Sequence, residues 1–204
     1  MKTEQWTKEE SILVLNLYQS KPKGMKPTTN ADMVHLAQML GRTPEALYRR
    51  MLKFRQWYPV LPFTSDIPIY IEEDPSVWSD YFYDSKKTRT EAADILLEIS
   101  RATLILNLYF GLIINTMDEK VPEVVDMAKK VKSTAAEVVN MLHAYASLDP
   151  FNKKNVNTDI HVPNVCHFLW ERYADDMDGL SRVAKYIETH YPKRRPGRKK
   201  STGK

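Results

Sequence analysis

The sequence predicts an all-α chain made of two tandem helical repeats and an extended basic C-terminal tail. Three observations predict it. Apolar residues recur at helical spacing, one block of residues recurs at a fixed offset, and seven of the 30 basic residues crowd into residues 191–204. At 204 residues, 43% hydrophobic and 27% charged, the chain has a globular composition and the length for a sizeable core.

The repeat shows in Val14-Leu-Asn-Leu-Tyr18, which returns as Ile105-Leu-Asn-Leu-Tyr109 at an offset of 91. Held without a gap, that offset places Val34 on Val125, Ala37 on Ala128, Thr43 on Thr134, Phe54 on Tyr145 and Pro59 on Pro150. One further inserted residue brings Trp78-Ser-Asp-Tyr81 onto Trp170-Glu-Arg-Tyr173. The expected units are therefore residues 1–86 and 94–182, followed by the tail 191–204.

Each unit reads as three to four helices. The first helix is expected from Lys8 to Gln19, with its counterpart from Leu97 to Phe110. The second carries Met33, Leu36, Ala37 and Leu40 at i, i+3, i+4 and i+7, and Val124, Met127, Ala128 and Val131 repeat that stripe. Asn30 suits an N-cap in the first copy, and Pro122 suits a first-turn position in the second. Thr43-Pro44-Glu45 opens the third helix, whose counterpart opens with the capping box Thr134-Ala-Ala-Glu137. Leu47, Met51 and Phe54 form its inward stripe, matched by Val138, Leu142 and Tyr145. Residues 59–75, with Pro62 and Pro68, read as extended chain, and a short last helix carries the Trp and Tyr.

Charge and cysteine content narrow the function classes. The net charge of +4 belongs to the tail: without its seven cations, 23 basic residues face 26 acidic ones, a body of about −3. A uniformly basic nucleic-acid coat is excluded, and local patches are expected. A single cysteine, Cys166, permits no internal disulfide and no multi-thiolate cluster. The most apolar stretch, Thr103 to Ile114, is far short of the ~20 residues that span a bilayer. The polar, acidic opening Met1-Lys-Thr-Glu-Gln-Trp-Thr-Lys-Glu-Glu10 does not read as a signal peptide, so the expected setting is cytoplasmic, without a membrane partner.

Trp6-Thr-Lys-Glu-Glu10, Leu36-Ala-Gln-Met-Leu-Gly-Arg-Thr-Pro44 and Ala46-Leu-Tyr-Arg-Arg50 together resemble a Myb/SANT-type helix-turn-helix. A narrower resemblance is to the helical amino-terminal module of bacterial HNH-type, restriction-associated endonucleases. The first copy keeps Trp6 to Glu10, Leu15-Asn-Leu-Tyr18 and Gly41-Arg-Thr-Pro44. The second keeps Leu106-Asn-Leu-Tyr109, Tyr145-Ala-Ser-Leu-Asp-Pro150 and the Trp170 helix. The resemblance covers most of residues 1–180 and implies helix-turn-helix-like repeats that bind DNA. The nuclease domain that follows the module in that family has no counterpart: the five histidines, His35, His143, His161, His167 and His190, come without a Cys-x-x-Cys pair. No catalysis, metal or cofactor is expected.

The third helix of the first copy is the sharpest candidate site. Arg42, Arg49, Arg50, Lys53 and Arg55 lie within 14 residues and are opposed only by Glu45, while Arg49, Lys53 and Gln56 share the side opposite the apolar stripe. In a helix-turn-helix this side enters the major groove, where Arg pairs with guanine and its neighbours hold phosphates; Thr43, at the turn, joins the candidate set. The bland alternative is a solvated charged face. At the offset of 91, Arg49 becomes Asn140, Arg50 Met141, Lys53 Ala144 and Arg55 Ala146. The second copy is thus expected to pack or self-associate, an exposed Met141/Ala144 surface serving as its contact, unless drift alone removed the cations.

In the tail, Pro192-Lys-Arg-Arg-Pro-Gly-Arg-Lys-Lys200 resembles an AT-hook, with Lys199 where that motif has proline. Lys193, Arg194, Arg195, Arg198, Lys199 and Lys200 would lie along a narrow minor groove and add salt-sensitive affinity, or else form a solubilising terminus. Residues 66–84 carry six acids and no base, read as a solvated connector, with competition for the basic helix as the alternative. His161, Cys166 and His167 lack a fourth ligand and read as structural. Six glycines offer no phosphate-binding loop, and no nucleophile–base pair can be read from spacing.

The resulting expectation is a non-catalytic double-stranded-DNA-binding protein of bacterial or phage origin, nucleoid-associated in the cytoplasm. It would act as a transcriptional regulator or as the DNA-recognition component of a defence or mobile-element system. The alternative is a protein–protein interaction module whose tail alone adds non-specific nucleic-acid affinity.

Overall fold

The chain, seen in a computed structural model, is described at residues 6–20, 26, 29–57, 78–112, 117–152 and 160–190. Every regular element among these is helical. In order they are α1 (Lys8–Ser20), α2 (Ala31–Leu40), α3 (Pro44–Trp57), α4 (Ser79–Tyr83), α5 (Ser85–Gly111), α6 (Pro122–Val131), α7 (Ala135–Leu148), α8 (Asn164–Tyr173) and α9 (Met177–His190). The fold is all-α, and no described helix is long and apolar enough to cross a membrane. The extended stretch expected at 59–75 and the basic tail lie outside the described residues.

The chain divides into two compact units, Met1–Ile99 and Ser100–Lys204. The unit bounds expected at 86 and 94 both fall inside α5, and that at 182 falls inside α9. The charged run Lys86-Lys-Thr-Arg-Thr-Glu91 shows no apolar stripe, which is why its helix was not legible.

Helix bounds recur at the offset of 91. α2 and α6 start and stop at positions 91 apart, α3 and α7 do the same, and α1 ends 91 positions before α5. The stops have a common cause. Gly41 (φ 63°, ψ 30°) and Lys132 (φ 55°, ψ 48°) are both left-handed C-caps. Arg42 N–H and Ser133 N–H each reach back to the carbonyl five residues earlier, at 2.9 and 3.0 Å. This is a Schellman closure, which glycine enters without strain and lysine does not. Thr43 and Thr134 then cap the next helix, each hydroxyl accepting from the N–H three residues on, at 3.1 Å.

In the first unit α1, α2 and α3 pack together. Leu15, Met33, Leu40, Leu47, Met51 and Phe54 are all at most 4% exposed, so the predicted inward stripes are the core. Trp78 and Phe82 meet Phe54 edge-on at 5.5 and 6.0 Å and close the end of that core. In the second unit α7 packs on α6 and α8, and α9 packs on α8. Val124, Val131, Val138, Leu142 and Tyr145 are at most 1% exposed. Asp84 and Asp176 cap the helices that follow, accepting from Lys87 N–H (2.9 Å) and Gly179 N–H (2.8 Å).

Candidate nucleic-acid interface

Helix α3 follows α2 after the three residues Gly41, Arg42 and Thr43. What fixes its placement is the opening segment of the chain. Thr7 and Glu10 form a capping box on α1: Glu10 N–H donates to Thr7 Oγ1 (3.2 Å) and Thr7 N–H to Glu10 Oε2 (3.0 Å). The same carboxylate receives Arg42, whose Nε and Nη2 donate to Oε1 and Oε2, each at 2.8 Å. The Arg42 guanidinium also lies 4.1 Å from the Trp6 ring centre. Trp-Thr-x-Glu-Glu and Gly-Arg-Thr are thus two halves of one lock, tying α1 to the turn before α3.

Arg50 completes the lock. Leu47, Arg50, Met51 and Phe54 stand at i, i+3, i+4 and i+7, so Arg50 shares the inward side of α3 and is 2% exposed. Its Nη2 donates to Ser11 Oγ at 2.7 Å, and its guanidinium lies 5.1 Å from the Phe54 ring and 5.8 Å from that of Trp6. Arg50 was expected on DNA; its side chain is in the interior instead, because its helical phase is that of the apolar stripe. Arg42, likewise expected on DNA, is engaged by Glu10, the two side chains being 13% and 6% exposed.

The remaining candidates divide by helical phase. Thr43 is exposed, with its hydroxyl used as the α3 cap. Arg49 is exposed, and Lys53 is half-buried; among the described residues neither is engaged by a hydrogen bond or ion pair. Arg55 is half-buried and engaged within the fold. The Gln56 side chain lies outside the described residues, as do Lys193, Arg194, Arg195, Arg198, Lys199 and Lys200. Glu45, which sequence reasoning treated only as an opposing charge, is exposed one turn before Arg49.

In the second unit the lock is built differently. Position 101, the counterpart of Glu10, is arginine, and its Nε donates to Val131 O at 2.9 Å at the end of α6. Ser133, the counterpart of Arg42, donates its hydroxyl to the Glu137 carboxylate. Tyr109 of Leu-Asn-Leu-Tyr donates to Asp149 of Ala-Ser-Leu-Asp-Pro at 2.7 Å and accepts from Asn152 Nδ2 at 3.3 Å. Burial, reinforced by that carboxylate, pushes the Tyr109 hydroxyl well above the usual tyrosine range. Tyr145, which donates to Ala102 O at 3.0 Å, is raised in the same direction by burial and by Cys166 beside it.

The second unit offers no match for the Arg49/Lys53 surface. Asn140 is exposed, Met141 is half-buried, and Ala144 and Ala146 are each 1% exposed. The expected open Met141/Ala144 surface is corrected accordingly: Ala144 sits in the interior. The exposed large apolar side chains described are Phe151 (95%), Tyr83 and Met177. His161 and His167 are exposed while Cys166 is fully buried, and no three potential metal ligands gather among the described residues. Asp80 and Asp84 of the acidic stretch are local: Asp80 pairs with Lys87 at 3.4 Å, and Asp84 caps α5. Comparison with family models, curated proteins and solved structures yields no match for this chain.

Proposed function

We propose that the chain is a non-catalytic double-stranded-DNA-binding protein, formed by duplication of one helix-turn-helix-like unit. In this reading the first unit lays α3 in the major groove, and the tail 191–204 follows the backbone or the minor groove. The observation that carries it is the outward side of α3, which presents an exposed Arg49 and a half-buried Lys53, while Arg42 and Arg50 tie the helix and its leading turn to α1. A rigidly held cationic helix surface suits a duplex better than a disordered partner does. The resemblance to Myb/SANT repeats and to the modules of HNH-type endonucleases points the same way, towards a transcriptional regulator or the recognition part of a defence or mobile-element system. A second reading, a protein-interaction module, draws on Phe151, whose side chain is 95% exposed.

Fluorescence-anisotropy titrations of labelled duplexes at two salt concentrations test the proposal, comparing the full chain with one ending at Tyr191. The proposal expects the shortened chain to keep salt-dependent binding and to lose most of it on Arg49→Gln with Lys53→Gln. Complete loss of binding with the tail would instead support the interaction module.

A further inference from the structure

The accessible side of α3 carries an acid as well as cations. Glu45, Arg49 and Lys53 stand at i, i+4 and i+8, and both Glu45 and Arg49 are exposed. Glutamate four residues before arginine is the favoured order for an ion pair along a helix. Among the described residues the ion pairs join other side chains, and none links Glu45 to Arg49. Glu45 lies in the first turn of α3, where the helix dipole favours an acid, but on a surface that merely grips phosphates it would repel the backbone beside the very arginine that attracts it. For a surface that reads bases, the pair is complementary to one kind of edge. Arginine donates two hydrogen bonds to guanine O6 and N7, and glutamate accepts from the cytosine amino group. Residues four apart on a helix are ~6 Å apart along its axis, and stacked base pairs are ~3.4 Å apart, so the two side chains span one or two base-pair steps.

Resting on the DNA-binding reading above, we infer that α3 recognises a G·C-containing major-groove element, with Arg49 on guanine and Glu45 on a cytosine one or two steps away. Arg42 and Arg50 are positioning residues that fix the phase of α3, and Lys53 is the phosphate contact behind the pair. The structure itself supplies a contrast: at the counterpart of Arg49 the second unit has Asn140, so the inferred recognition belongs to the first unit alone.

The test uses the full chain and three alternating duplexes of equal length, dG–dC, dI–dC and dA–dT, titrated by fluorescence anisotropy with Glu45→Gln and Arg49→Gln variants whose melting temperatures are matched to the unaltered chain. Hypoxanthine keeps the major-groove edge of guanine and lacks its minor-groove amino group, so the tail and α3 see dI–dC differently. Glu45→Gln is expected to lower affinity for dG–dC and dI–dC by about tenfold and to leave dA–dT within about twofold. Arg49→Gln should show the same ordering with a larger loss. A Glu45 that only repels phosphate predicts the opposite sign, a gain of affinity on all three duplexes, and that result overturns the inference. So do equal losses on all three duplexes, or a loss on dG–dC that dI–dC does not share, and in those cases DNA binding itself still stands. Binding to none of the three removes the DNA-binding reading together with the inference.

Discussion

The Glu10–Arg42 lock makes a quantitative prediction about the first unit. Arg42→Ala removes two hydrogen bonds of 2.8 Å and the stacking on Trp6, and leaves a carboxylate only 6% exposed. Stripping one partner from a buried ion pair costs about 3–5 kcal/mol. Two features move the expectation to the lower end: Arg42 keeps 13% of its side chain in solvent, and Glu10 retains the Thr7 N–H as a partner. Loss of the guanidinium–indole contact adds about 0.5–1 kcal/mol. The expected destabilisation is therefore about 3.5–4 kcal/mol, or a fall in Tm of roughly 14–32 °C for a unit of about a hundred residues. Urea denaturation of Glu10→Ala, Arg42→Ala and the double variant would measure it, with the double variant costing about 2 kcal/mol less than the sum of the singles. A cost for Arg42→Ala below about 0.5 kcal/mol, or additivity within that margin, would mean that the pair behaves like an ordinary surface ion pair, and the lock would be refuted.

Other perturbations follow from the same geometry. Lys132→Gly should stabilise the chain by about 1 kcal/mol in thermal unfolding, because a left-handed lysine is strained where glycine is not, and Gly41→Ala should destabilise it by a similar amount. Arg50→Ala should cost about 2–4 kcal/mol, since it empties a site between Trp6 and Phe54 and removes the bond that Ser11 Oγ accepts; a near-neutral result would contradict the buried placement. Tyr109, Tyr145 and Tyr173 all titrate above the ordinary tyrosine value of 10.0, chiefly through burial. The native state therefore holds their protons more tightly than the unfolded chain does. Their contribution is fully present below pH 10 and lost as pH rises through the folded values, so unfolding followed by tyrosinate absorbance should grow easier above about pH 10. Tyr109→Phe should reduce that alkaline slope and also weaken the chain at neutral pH by about 1 kcal/mol, through the lost bond to Asp149.

Much of the fold is legible because short-range signals were strong. Asn30, Thr43, Pro122 and Thr134 mark helix starts, the first through a 3.0 Å bond to Met33 N–H, and the apolar stripes at helical period are the buried positions. The run from Lys86 to Asp94 gave no such signal, since a helix held by a capping aspartate and a few small buried residues such as Thr88 and Ala92 leaves no apolar stripe to read. Two of the candidate site residues were misplaced. Counting cations within a window grouped Arg42 and Arg50 with Arg49 and Lys53, although helical phase already put Arg50 beside Leu47 and Phe54. Arg42 was harder: its partner lies 32 residues away in sequence, and only the Thr7-x-x-Glu10 capping box hints that the Glu10 carboxylate is held in place to receive it.

The central claim is that the accessible side of α3 meets DNA. An amide chemical-shift map of the isotope-labelled chain, recorded with and without a short mixed-sequence duplex at low salt, tests it most directly. The account predicts that the largest shifts among residues 6–190 cluster at Thr43, Glu45, Arg49 and Lys53 and fade as salt is raised. Shifts confined to residues 191–204, or centred on the second unit with α3 unmoved, would contradict it.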